Sequence, residues 1–224
     1  MKNDKIGLFG GTFNPIHYGH LRPAEEIYES FQLRQVIFIP AAHPPHKSGK
    51  ILSAPLRVEM VQRAIADNPH FSLSEVETQR PGKSYSIETI TYFREQFGPE
   101  THLYFIVGLD AFLEIETWKE YPALFRLCHF IIMTRPGFGK NFSPSLLPVE
   151  LAKNFCYDAH KGAYVHPSGC FVFPKEITAL DISATKIRKN LNKGLSVKYL
   201  LPPAVETFIH AHKLYQTKDL KGLD

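Results

Sequence analysis

The chain has 224 residues, 44% of them hydrophobic and 21% charged, with a formal net charge of +4. That size and composition describe a globular protein able to bury its own core as one domain, residues 1–224, without help from metal or disulfides. The three cysteines, Cys128, Cys156 and Cys170, show no CxxC spacing and Cys128 lies in the apolar run LCHFIIM, so they are expected as buried free thiols and exclude a stapled secreted scaffold.

Residues 5–9 (KIGLF) and 35–39 (QVIFI) read as short strands, and Leu21, Ala24, Ile27, Tyr28 and Phe31 recur between them at helical spacing. A strand, helix, strand unit with a parallel connection follows. The next stretch, PAAHPPHKSGK, is too rich in proline for either regular element. Ser53 and Pro55 then open a helix with Leu56, Met60, Val61, Ala64 and Ile65 on its apolar stripe. After the short run FSLS at 71–74, ETQRPGKSYS reads as a polar turn, and Ile87, Ile90, Thr91 and Phe97 mark the next helix. The run HLYFIVG at 102–108 is apolar without alternation and is expected as a central strand, ending near Gly108 and Asp110.

Short helical pieces around Trp118 are expected over 112–125, and HFIIMT at 129–134 as a further buried strand. Residues 136–170 are irregular, with helical spacing only in LLPVELAKNF, and read as a peripheral excursion rather than a second domain. A last strand at 171–173, a helix at 183–193 and a closing helix at 203–214 complete the chain. Alternating strands and helices predict an α/β fold with a mainly parallel sheet covered on both faces, whose ligand lies beyond the carboxyl ends of the strands.

Two helix starts carry the chemistry. In KIGLFGGTFNPIHYGHL, Gly10 and Gly11 let an anion approach the main chain, and His17 and His20, one turn apart, can aim two imidazoles at it. The pattern is neither GxGxxG nor GxxxxGK, so the dinucleotide and Walker A loops are absent. A plain strand-to-helix turn, or a zinc held by the two histidines, are the competing accounts, the second lacking a third ligand at fitting spacing. In DISATKIR at 181–188, Ser183 or Thr185 can cap a helix whose amides meet phosphate oxygens, while Arg188 can reach the same group with both arms. Taken alone, that segment is also an ordinary capped surface helix.

Together GGTFNPIHYGHL at 10–21 and ISATKIR at 182–188 resemble the nucleotidyltransferases with the paired-histidine motif. Within them the chain is similar to the bacterial nicotinate-nucleotide adenylyltransferases, through PPHK at 44–47, Arg80 with SYSIET at 84–89, IVGLDAF at 106–112 followed by Trp118, Arg135-Pro136-Gly137, and HKLY at 212–215. Asn14 stands where that family commonly has aspartate, and Ala184 where it commonly has serine.

The resemblance implies a Rossmann-like fold and adenylyl transfer from ATP to nicotinate mononucleotide, with Mg2+ held mainly by the ATP phosphates and no metal site of the protein's own. It implies that His17 and His20 contact the ATP phosphates, that Gly10, Gly11, Thr12 and Phe13 line the nucleotide site, and that Ser183, Thr185 and Arg188 hold phosphates from the opposite side. His43, His46 and Lys47 would lie in a loop nearby, Asp110 would accept from ribose hydroxyls, Trp118 would stack on the pyridine ring, and Tyr85 and Ser86 would offer amides to its carboxylate. Asp110 as a helix cap, Trp118 as a core aromatic and Lys47 as a solvated loop residue are the simpler alternatives.

An amide in place of that carboxylate, as in nicotinamide mononucleotide adenylyltransferase, is the nearest alternative activity, and a non-catalytic nucleotide or RNA-binding module the most distant. Apart from the group around Lys186, Arg188 and Lys189, Lys and Arg are scattered, which argues against a nucleic-acid partner. The absence of any apolar run near the length of a membrane span argues for a cytoplasmic protein with no membrane partner, and the oligomeric state is undetermined by sequence.

Overall fold

The computed structural model describes residues 4–44, 51–134 and 152–216. Strand β1 (Lys5–Gly11) lies between β2 (Gln35–Pro40) and β4 (His102–Gly108), with β3 (Phe71–Leu73) beyond β2 and β5 (His129–Thr134) beyond β4. All four of these pairings are parallel, as is that of β5 with β8 (Phe171–Glu176). With β6 (Cys156–Asp158) and β7 (Ala163–Val165) the order is β3-β2-β1-β4-β5-β8-β7-β6, and it confirms the expected mainly parallel α/β architecture.

Helices cover both faces of the sheet. Ile6 and Leu8 of β1 and Phe105 of β4 pack with Ile87, Ile90 and Phe93 of α4 (Ser86–Phe97) and with Phe125 of α6 (Tyr121–Leu127). On the other face, Phe9, Val36 and Phe38 meet Ile27 of α1 (Tyr18–Phe31) and Met60 and Val61 of α2 (Ala54–Ile65). The same layer takes Ile187 of α7 (Ala184–Asn192) and Val205 and Phe208 of α8 (Pro203–Ala211). Neighbouring strand residues supply opposite faces because side chains alternate across a pleated sheet. The buried stripe of α4 runs through Ile87, Ile90 and Phe93; Thr91, named in the sequence pattern, is only half-buried.

Several expectations change. The polar turn contains a short helix, α3 (Val76–Gln79), which buries Glu77. Within the stretch read as irregular, β6 (Cys156–Asp158) and β7 (Ala163–Val165) form an antiparallel pair that extends the sheet beyond β8. Three-residue strands are too short for a visible period-2 pattern. Cys128 and Cys170 are buried with their thiols pushed up, Cys170 to about 12, whereas Cys156 is exposed on the edge strand, contrary to expectation. The closing helix ends at Ala211, not 214. Most of LLPVELAKNF, together with His46 and Lys47, lies outside the described residues. Among the described residues no helix is long and apolar enough to cross a membrane.

Candidate active site

The carboxyl ends of β1, β2, β4 and β5 share one edge, because Gly11 pairs with Pro40 and Gly108 with Met133. From that edge the chain leaves β1 through Thr12–Ile16 and enters α1 with His17 as its N-cap, in extended conformation. A Cβ on Gly11 would come within 2.7 Å of the Phe13 ring, so this position requires glycine. The backbone thus folds tightly enough to bring both histidines over the strand end.

His17 is buried, and desolvation lowers its pKa from 6.5 to about 4, so the ring is neutral at physiological pH. Its Nδ1 is buried with no hydrogen-bond partner among the described residues. The ring stacks on His20 at 3.8 Å between centroids, and the His17 amide donates to His20 Nδ1 at 3.3 Å. With Nδ1 accepting, a neutral His20 carries its proton on Nε2, the outer nitrogen. Phe13 meets the same ring edge-on at 5.2 Å.

The second helix start faces the first. Ser183 caps α7, its Oγ accepting from the Lys186 amide at 3.2 Å. A Cβ on Gly19 would lie 3.2 Å from the Ile182 carbonyl, which measures how closely the two segments approach. Arg188 Nη1 donates to the Asn14 carbonyl at 2.8 Å and Nη2 to Thr185 Oγ1 at 3.1 Å. Two motifs 174 residues apart are therefore joined by one guanidinium.

Beneath this junction lie groups to which the sequence reading gave no role. Asn14 Oδ1 accepts from Tyr215 Oη at 2.8 Å and from the Leu52 amide at 3.4 Å. Arg57, only 1% exposed, donates to the carbonyls of Leu52 (2.8 Å), Thr12 (2.8 Å) and Ala42 (3.1 Å). Burial pushes the Tyr215 phenol up, against the opposing influence of Arg188 and Arg57. An arginine inside the apolar stripe of α2, beside Met60, Val61 and Ala64, was the available sequence signal for Arg57. Glu77, buried in α3, offered none, and Ser84 entered only as part of the SYSIET segment, without a role of its own.

A cleft of about 430 Å³ continues from Gly10, Gly11 and Thr12 along the end of β4 to Asp110 and Trp118, and across to Tyr85 and Ser86. Trp118 is half-buried, edge-on to Phe105 at 6.0 Å, so it is anchored on the core and open to the cleft. Gly108 is the N-cap of α5 (Leu109–Leu113), which leaves Asp110 exposed in the first turn without a capping bond and removes the simpler account of it. Tyr85 is the N-cap of α4 and Ser86 its first residue. Lys119 also lines the cleft, its Nζ 2.8 Å from Glu88 and 4.8 Å from the Tyr85 ring centre. Burial raises the Glu77 carboxyl at the cleft wall, opposed by hydrogen bonds from Thr89 and Ser84. His17, His20, Ser183, Thr185 and Arg188 do not line this cleft; they form the adjoining cationic and imidazole side, with Gly10–Thr12 beside both. His43 is exposed and lines a neighbouring groove with Lys83 instead.

Residues 8–190 match the model of the cytidylyltransferase-like family. The chain is 47% identical over 213 residues to the "Probable nicotinate-nucleotide adenylyltransferase" of Geotalea uraniireducens, covering 94% of this chain and 98% of that protein. With the protein of the same name in Syntrophotalea carbinolica it shares 45% identity over 217 residues, 96% and 99% of the two chains. Among solved structures, the Plasmodium falciparum nicotinic acid mononucleotide adenylyltransferase complexed with NaAD has the same fold, with a TM-score of 0.67 at 21% identity over 94% of this chain and 97% of that one. Near full-length similarity of this strength, on a sheet whose strand ends meet two facing helix starts, means that the chain belongs to the nicotinate-nucleotide adenylyltransferases of the cytidylyltransferase-like family.

Proposed function

We infer that the protein transfers the adenylyl group of ATP to nicotinate mononucleotide, giving deamido-NAD and pyrophosphate, a step of NAD biosynthesis. The observation that carries this reading is the single guanidinium of Arg188 tying the α7 start to the loop that leads into His17 and His20 at the start of α1. That arrangement offers imidazole, guanidinium and main-chain N–H donors to one polyanion.

In this reading an oxygen of the mononucleotide phosphate attacks the α-phosphorus in line as the bond to the pyrophosphate oxygen breaks. No covalent enzyme intermediate and no dedicated base are required, because the attacking phosphate is already ionised near neutral pH. The protein positions and neutralises. His20, with its proton on Nε2, donates to a nonbridging oxygen as charge grows there, and His17 backs it by stacking. Gly10, Gly11, Thr12 and Phe13 line the nucleotide, and Ser183, Thr185 and Arg188 hold its phosphates.

On the acceptor side Trp118 supplies a flat surface for the pyridine ring, Asp110 accepts from ribose hydroxyls, and the amides at Tyr85 and Ser86 meet the carboxylate at a helix start. The phosphate side carries N–H donors, from Arg188 and from the main chain at two helix starts. Mg2+ would be carried mainly on the ATP phosphates, where it would supply charge neutralisation. The protein acts in the cytoplasm as one domain, with small-molecule substrates, no nucleic acid and no membrane partner.

Side-by-side kcat/KM values for nicotinate and nicotinamide mononucleotides, at fixed ATP and Mg2+, test the reading. A strong preference for nicotinate is expected; equal use would refute selection by the helix-start amides.

A further inference from the structure

A short strap, Ala42–His43, follows β2 and is tied both to the residue before the α4 N-cap and to Arg57 of α2. Ser84 holds it from the acceptor side. The amides of Ala42 and His43 donate to Ser84 Oγ at 2.9 and 3.3 Å, and the Ser84 amide donates back to the His43 carbonyl at 3.1 Å. Arg57 holds it from the nucleotide side, with Nη2 on the Ala42 carbonyl at 3.1 Å and Nη1 on the Thr12 carbonyl at 2.8 Å. Ser84 immediately precedes the N-cap of α4, and Thr12 immediately follows Gly10-Gly11.

Ser84 is itself pinned. Its oxygen accepts twice, so its own proton is free to donate, and together with Thr89, whose Oγ1 donates to Glu77 at 2.6 Å, it opposes the upward push of burial on the Glu77 carboxyl. Arg80 Nη2 in turn donates to Thr89 Oγ1 at 3.3 Å. The bonds of Ser84 and Arg57 to the strap thus link the residue just before the α4 N-cap to the loop after β1.

We propose that Ser84 is a positioning residue that couples the two substrates, so that filling the acceptor cleft tightens nucleotide binding and the reverse. The proposal rests on the adenylyl-transfer reading of the site. An acceptor carboxylate on the amides of Tyr85 and Ser86 orders the start of α4. Ser84, in the same peptide run, then orders the strap, and Arg57 passes that order to Thr12. The ordering of a shared strap falls on whichever ligand binds first, so the second binds more tightly, and linkage makes the effect reciprocal.

Calorimetric titration of nicotinate mononucleotide with and without a saturating ATP analogue carrying a methylene bridge between the α- and β-phosphorus measures the coupling without turnover. The wild-type protein should show each ligand tightening the other by the same factor, on the order of tenfold. In Ser84→Ala the factor should fall to within about twofold of unity, while each ligand alone keeps its Kd within about threefold. Ser84→Cys, which preserves volume but offers a weak sulfur acceptor, should lose the factor too, and Ser84→Thr should retain most of it. A wild-type factor of one, or an undiminished factor in both Ser84→Ala and Ser84→Cys, overturns the proposal while leaving adenylyl transfer intact if pyrophosphate is still released. A wild-type protein that binds neither ligand overturns both.

Discussion

His17 is a buried imidazole at the mouth of a helix, and its burial sets a measurable pH dependence of folding. The folded protein holds the ring at about 4, against an ordinary 6.5, because desolvation penalises the charged form. The unfolded chain therefore binds the extra proton first, so stability is fully present above about pH 6.5 and is lost as pH falls toward 4. The full effect is about 3 kcal/mol, of which about 2 kcal/mol is lost on going from pH 7 to pH 5. His129 is lowered to about 4 as well, by burial and by the neighbouring His102, Arg94 and Lys161, and adds a slope of the same sign. Urea unfolding of wild type and His17→Gln at several pH values between 7 and 5 isolates the His17 part, since His129 titrates in both proteins. The wild type should lose about 2 kcal/mol more than the variant over that range. Parallel pH curves for the two proteins would refute the reasoning.

His20→Ala should lower kcat roughly a hundredfold, with a much smaller change in ATP affinity, because the lost donor acts on charge that develops in the transition state; near-normal turnover at saturating substrate would contradict it. Arg188→Lys should cost about tenfold to a hundredfold in kcat/KM, since one ammonium cannot serve Asn14, Thr185 and a phosphate together, whereas the exposed Lys189→Arg should behave as wild type; kinetics of the two variants decide this. Trp118→Ala should weaken both mononucleotides equally and keep the nicotinate preference, because stacking does not distinguish acid from amide; the ratio of kcat/KM values measures it. Tyr215→Phe should lower stability by about 1 kcal/mol through loss of the hydroxyl that donates to Asn14, and an unchanged urea midpoint would show that bond to be worthless.

Long elements with strong periodicity were legible in the chain. The apolar run of β4 and the stripes of α1 and α2 follow from burial on one or both faces, which local sequence records directly. Three short ones were missed: α3 spans four residues and β6 and β7 three each, below the length at which a period of 3.6 or 2 can be read. Cys156 was misjudged for the same reason, because an edge strand that goes unrecognised hides the exposure of its residues.

By itself the sequence determined the alternation of strands and helices, the two helix starts with their histidines and Arg188, and the family resemblance that joined them. What faces what was decided only by the tertiary structure. His17 becomes a neutral, unpartnered imidazole because the sheet edge and the 182 loop close over it, and no local pattern encodes that burial. Asn14 becomes a junction because Tyr215, Leu52 and Arg188 converge on it from 201, 38 and 174 residues away. Propensity and periodicity act within a turn or a strand, whereas desolvation and hydrogen bonding depend on neighbours that only the folded chain brings together.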